Sequence, residues 1–181
     1  MRDEADNVLH FWFEEIEPER WWRADPDFDA VVRSRFGDTL RQAAEGALHG
    51  WRGSSHGRLA EVLVLDQFSR NVYRGTPRAF AQDGMALVLA QEALARDAHR
   101  ALGPKHLEFL IMPFMHSESR AVHAQAEVLF RALASAESLE FELRHKAIVD
   151  RFGRYPHRNE VLGRVSTAEE SVFLREPGSS F

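Results

Sequence analysis

The sequence predicts an all-α fold, about eight helices packed as antiparallel pairs, and three observations carry that reading. Apolar residues recur at helical spacing along nearly the whole chain, the Gly and Pro breaks between those stretches are short, and no alternating β-branched run or hairpin signal interrupts them. A chain of 181 residues is long enough for one domain with a substantial core. The expected domain is 1–176, with the Gly- and Ser-rich 177–181 as a flexible tail.

The first helix spans 4–16, with Leu9, Trp12, Phe13 and Ile16 on one stripe, and Trp21 and Trp22 follow the Pro18 break. These aromatics read as a plug for one end of the core, with an aromatic ligand wall as the alternative. Asp25-Pro26 caps and opens a second helix, whose stripe of Phe28, Val32, Phe36, Leu40 and Ala43 runs to about Leu48. After a GSSHG loop, Leu59, Val62, Leu63, Val64, Leu65 and Phe68 leave almost no polar side on the next helix. That marks it as the central helix, ending near Asn71. Another amphipathic helix runs from Pro77 to about Arg96. Gly103-Pro104 opens a segment that is apolar on every side, in which Pro113 should kink or stop the helix. Helices at about Glu118 to Ala134 and Ala136 to Phe152 follow. Ser166-Thr167-Ala168-Glu169 then has the form of a capping box for a last helix through Leu174.

Composition excludes several classes. A net charge of -5 gives no electrostatic case for nucleic acid or an anionic membrane as partner. The absence of Cys removes disulfides, thiolate nucleophiles and Cys-based zinc sites. The acidic N-terminus lacks an apolar signal core, and no apolar run approaches spanning length, so a soluble cytoplasmic protein is expected. No phosphate-binding loop, dinucleotide fingerprint, His-Glu-x-x-His run or EF-hand loop is present, so neither metal nor cofactor is expected.

Polar residues concentrate in three segments: 66 to 78, 116 to 118 and 151 to 164. Asp66 and Arg70, four apart at the end of the buried helix, can pair on one face, and Gln67, Asn71 and Arg74 follow them. Charges in such a position must be paired or face a cavity. In RFGRYPHRNEVLGR, Arg151, Arg154, Arg158 and Arg164 crowd around Gly153 and Pro156, with His157 and Asn159 adding donors. Such guanidinium forks either hold an anion bidentately or form a structural ion network with Asp66, Glu118 and Asp150. His145 lies on an apolar helix face and reads as a core residue. His116, two residues from Glu118, is the candidate general base or acid.

These stretches, LDQFSRNVYRGTPRAFAQD at 65 to 83, PFMHSE at 113 to 118 and RFGRYPHRNEVLGRVSTAEE at 151 to 170, resemble the signature blocks of the bacterial domain of unknown function 924 family. The N-terminal FWF and WW fit as well, and Ser69 stands where the family usually has Pro. The resemblance implies a tetratricopeptide-like α-α superhelix and carries no activity with it.

The functional expectation therefore rests on the residues. Asp66, Arg70, Asn71, Arg74, Arg154, His157 and Arg158 are expected to bind a small anionic ligand, with His116 and Glu118 as catalytic candidates, Glu118 orienting His116. The cations in the three segments outnumber Asp66 and Glu118, which is the reason to expect an external anion. The alternative is a scaffold that binds a protein or peptide on a concave helical surface, the polar segments only holding the helices together.

Overall fold

The computed structural model describes residues 3–181, and the described residues form helices and turns with no strand. Its architecture is built around the stretch from Leu59 to Ser69, in which every residue is buried. This stretch joins α3 (Ser55–Leu63) to α4 (Ser69–Val72) through a π-helical turn, Val64–Phe68. A π turn is wider than an α turn by one residue and shifts the faces that follow it. Here it falls on Asp66 and Gln67, so both polar side chains point into protein. The Ser69 hydroxyl is buried as well and has no partner among the described residues.

Around this axis pack α1 (Glu4–His10), α2 (Pro26–Ala44), α5 (Asp83–Ala95) and α6 (Pro104–Met115), and α7 (Arg120–Leu133) lies against α6. Helix α8 (Ala136–Phe152) packs on α7, and a short α9 (Ala168–Phe173) follows the loop that leaves α8. One apolar cluster runs from Ala5 to Phe130, and a small second one gathers Ile148, Val149 and Tyr155. The N-terminal aromatics divide. Phe11 and Trp12 are buried against Phe28, Phe36 and Phe68, while Trp21 seals the edge of Trp12 and Trp22 stays exposed on Phe109.

Several boundaries differ from the sequence reading for local reasons. The first helix changes to a π turn over Phe11–Glu15, and α2 stops at Ala44, with Gly46 in the left-handed region just beyond it. The helix around Pro113 continues two residues further to Met115, the ring being buried in the core rather than ending the helix. The last helix is capped one residue later than expected: Thr167 accepts from the Glu170 amide and Glu170 accepts from the Thr167 amide. The 177–181 tail, expected to be loose, makes contacts of its own, with the Ser179 hydroxyl donating to Leu174 O and Phe181 packed on His145, Tyr155 and His157.

Two glycines have definite conformational jobs. A Cβ on Gly57 would sit 2.0 Å from the Trp51 carbonyl, so only glycine lets α3 begin that close to the preceding turn. Gly153, at φ 72, ends α8 and turns the chain into the Arg-rich loop.

Candidate functional site

The three polar segments are joined pairwise by side chains. His116 is the C-cap of α6, and its Nδ1 lies 2.7 Å from Asp66 Oδ1, linking the first segment to the second. Glu118 accepts from the Tyr155 amide at 2.7 Å and from both terminal nitrogens of Arg164 at 2.6 and 2.9 Å, linking the second to the third. Asp83, the first residue of α5, accepts from Arg70 at 2.9 and 3.1 Å and from Arg158 at 3.1 Å, linking the first to the third. Between them opens a pocket of about 310 Å³, walled by Asp83, His116, Ser117, Glu118 and Arg158 and by apolar Pro77, Phe80, Leu87 and Leu162.

The electrostatics of this wall follow from burial. Asp66 is fully buried, which by itself would raise its carboxyl, but Arg70, 3.2 Å away, and His116 more than offset that and hold it below the ordinary carboxylate range. His116 is pushed below its ordinary value by burial and by Arg70, against the pull of Asp66, a balance that favours the uncharged imidazole. A carboxylate can only accept, hence Nδ1 carries the proton. Nε2 then presents a lone pair, and it has no hydrogen-bond partner among the described residues. Arg158 lies between the rings of Phe80 and Tyr155, 4.5 and 4.6 Å from their centroids. Burial pulls its guanidinium below the ordinary value, and its Nε is buried without a partner.

The acids at the pocket differ from Nε2 in having their oxygens occupied. Burial would raise Glu118, but the Arg164 hydrogen bonds and the Tyr155 amide outweigh it and keep the carboxylate ionised. Both Asp83 oxygens accept from arginine. The Ser117 oxygen accepts from the Ser119 amide, leaving its hydroxyl proton free to donate.

Of the residues singled out in the sequence, Asp66, Arg70, His116, Glu118 and Arg158 come together here. Asn71 and Arg74 do not: both bind the buried Asp29 of α2, Arg74 at 2.5 and 2.8 Å and Asn71 at 2.8 Å. Arg154 is held by Glu170 at 2.6 and 2.7 Å, a contact that lowers that carboxyl to about 2. His157 packs on Tyr155 and Phe181, and burial pushes it down to about 4. The orientation of His116 falls to Asp66 rather than Glu118, because Arg164 occupies Glu118.

The expected excess of positive charge is also corrected. Asp29, Asp83 and Glu170, none of them counted among the site residues, pair with the arginines. Asp83 had a readable signal, an acid in the first turn of a helix that follows the Arg70 segment. Among the described residues no group of three or more His, Asp or Glu could hold a metal ion, and no helix is long and apolar enough to cross a membrane.

The sequence pattern described as "Bacterial protein of unknown function (DUF924)" matches residues 8–178. A protein of unknown function from Agrobacterium tumefaciens, ATU0120, is similar in structure with a TM-score of 0.90 and 37% sequence identity. The match covers 94% of this chain and 96% of that one. No curated protein matches.

Proposed function

The chain belongs to the DUF924 family of bacterial proteins, and from that premise we propose that its Asp83/His116/Arg158 pocket binds a small carboxylate with His116 as proton acceptor. The observation that carries this reading is the unpartnered Nε2 of an imidazole whose other nitrogen is fixed by a buried carboxylate. A base held in one tautomer and aimed into a cavity is the arrangement that general-base chemistry needs.

The ligand class follows from what the pocket leaves unbonded: donors on Arg158 and Ser117, and one acceptor on His116. A matching ligand offers a carboxylate for the donors and an O–H or N–H for His116. Charge selects among anions. Asp66, Asp83 and Glu118 cancel Arg70, Arg158 and Arg164, so a phosphate dianion would enter with no surplus cation to meet it. A monocarboxylate leaves a single charge against the free edge of Arg158. The volume, near the lower end for ligand pockets, favours a small molecule, and Phe80, Leu87 and Leu162 give its carbon skeleton an apolar wall.

The test is a thermal-shift screen of small hydroxy- and amino-carboxylates beside phosphate monoesters. A carboxylate at a hundredfold its dissociation constant stabilises by about 2.7 kcal/mol. That shift should be lost in Arg158→Lys, whose compact ammonium cannot hold Asp83 and reach the ligand from separate nitrogens as the guanidinium does. Stabilisation by phosphate esters alone, or a carboxylate shift that survives Arg158→Lys, would overturn the assignment.

A further inference from the structure

Outside the pocket, three buried side chains form a polar chain that ends on the backbone of the His116 segment. The Tyr155 hydroxyl donates to the carbonyl of Met115. His123 Nε2 lies 2.8 Å from the carbonyl of Ser117 and 3.0 Å from the Tyr155 oxygen, and His123 Nδ1 lies 2.8 Å from Glu142 Oε1. All three side chains are fully buried. The two carbonyls belong to the residues on either side of His116.

The hydrogen positions follow from valence. A carbonyl only accepts, so His123 Nε2 carries a proton, and Tyr155, whose own proton goes to Met115, accepts from the same Nε2. The contact between Nδ1 and Glu142 then needs one further proton shared by the two groups. Glu142 Oε2 has no partner among the described residues, so the chain is only partly satisfied. Apolar residues would fill this volume at lower cost. What the polar chain adds is directional: Met115 is the last residue of α6, where carbonyls have no intrahelical partner, and the chain fixes that carbonyl and the Ser117 carbonyl in the loop beyond the cap.

We infer that Tyr155, His123 and Glu142 are positioning residues for His116, pinning the 115–116 peptide that enters it and the Ser117 carbonyl one residue beyond it, so that Nδ1 stays on Asp66 and Nε2 faces the pocket. The use of this device rests on the reading of His116 as proton acceptor; the geometry does not. Rotation of the 115–116 peptide would swing the His116 Cα–Cβ bond away from Asp66, which is itself fixed in the π turn, and release of the Ser117 carbonyl would free the chain just beyond His116 to follow.

The test compares the imidazole 15N signals of His116, assigned by their loss in His116→Gln, among wild type, Tyr155→Phe and Glu142→Gln. Tyr155→Phe removes one oxygen and keeps the ring, and Glu142→Gln keeps the side-chain shape. In both, the single-tautomer signature of His116 should give way to a mixture of Nδ1–H and Nε2–H forms. Leu40→Ala, a core change remote from the chain, should lower the melting temperature without moving those signals. Unchanged His116 signals in a folded Tyr155→Phe or Glu142→Gln protein would overturn the inference and leave the chain as a helix cap. Should Tyr155→Phe fail to fold, Glu142→Gln decides alone by the same criterion. A negative ligand screen beside shifted His116 signals would remove the carboxylate assignment and leave the positioning role standing.

Discussion

The loop between α8 and α9 carries one composition and two kinds of chemistry. On its outer side Arg151 meets Glu169 at 2.8 Å in solvent, and the half-buried Arg154 reaches the Val165 carbonyl and the buried Glu170, each charge meeting an opposite one. On its buried side, Tyr155 meets the end of α6 and Arg158 the start of α5, with His157 packed on Tyr155 and Phe181, and His157 Nδ1 and Arg158 Nε have no partner among the described residues. Four arginines within fourteen residues look alike in sequence; burial separates fasteners from the one that faces the pocket. The lesson is that arginine count measures neither site nor charge until the acids have been placed.

Acid titration should separate the two sides most strongly. Burial pushes His145 down to about 3 and His157 to about 4, so both are neutral in the fold and would protonate near 6.5 once unfolded. Between those values the unfolded chain binds more protons, and stability is lost as the pH is lowered, by about 1.4 kcal/mol per unit for each histidine. Denaturant midpoints should therefore drop steadily from pH 6.5 to pH 4, with the slope reduced in His157→Asn. The Arg154–Glu170 pair acts in a lower window. Glu170, depressed to about 2 by its Arg154 hydrogen bonds, contributes stability that is present above about 4.5 and lost as pH falls toward 2. A flat stability curve between pH 6.5 and pH 4.5 would contradict the burial of the histidines.

Next in size is Asp66→Ala. Arg70 keeps its two bonds to Asp83, so the loss is expected at the low end of that for a broken buried pair, about 3 kcal/mol by chemical denaturation. A change under about 0.5 kcal/mol would place Asp66 with ordinary surface acids.

The smallest effect on the pocket is expected at Arg154. Arg154→Ala leaves the buried Glu170 with only Asn159 and the Thr167 amide, so the melting temperature should fall while carboxylate binding should not change. Loss of binding in Arg154→Ala, with Arg158→Lys unaffected, would reverse the assignment of the two sides.

The contrast also marks what the sequence could disclose. The burial of Leu59 to Phe68 was legible because an apolar pattern on every face admits only a surrounded helix. The pairing of Asp66 with Arg70 was legible because a spacing of four is local. The partners of Arg74 and Glu118 were not: Asp29 lies 45 residues from Arg74, and Arg164 lies 46 from Glu118, separations that leave no periodic trace. The π turn has no composition of its own, so the inward aim of Asp66 and Gln67 could not be read. The late cap of α9 arose because Ser166-Thr167 and Glu169-Glu170 are near duplicates, and only packing chose the second of each pair. His123 and Glu142 sit on facing helices 19 residues apart, and nothing local joined them.

The central claim, that this pocket holds a neutral base in a fixed tautomer, is tested most directly by the 15N spectrum of the His116 imidazole at pH 7. The account predicts a neutral ring protonated on Nδ1, with Nε2 showing the shift of an unprotonated nitrogen that moves when a small carboxylate is added. An imidazolium, or a ring protonated on Nε2, would contradict it.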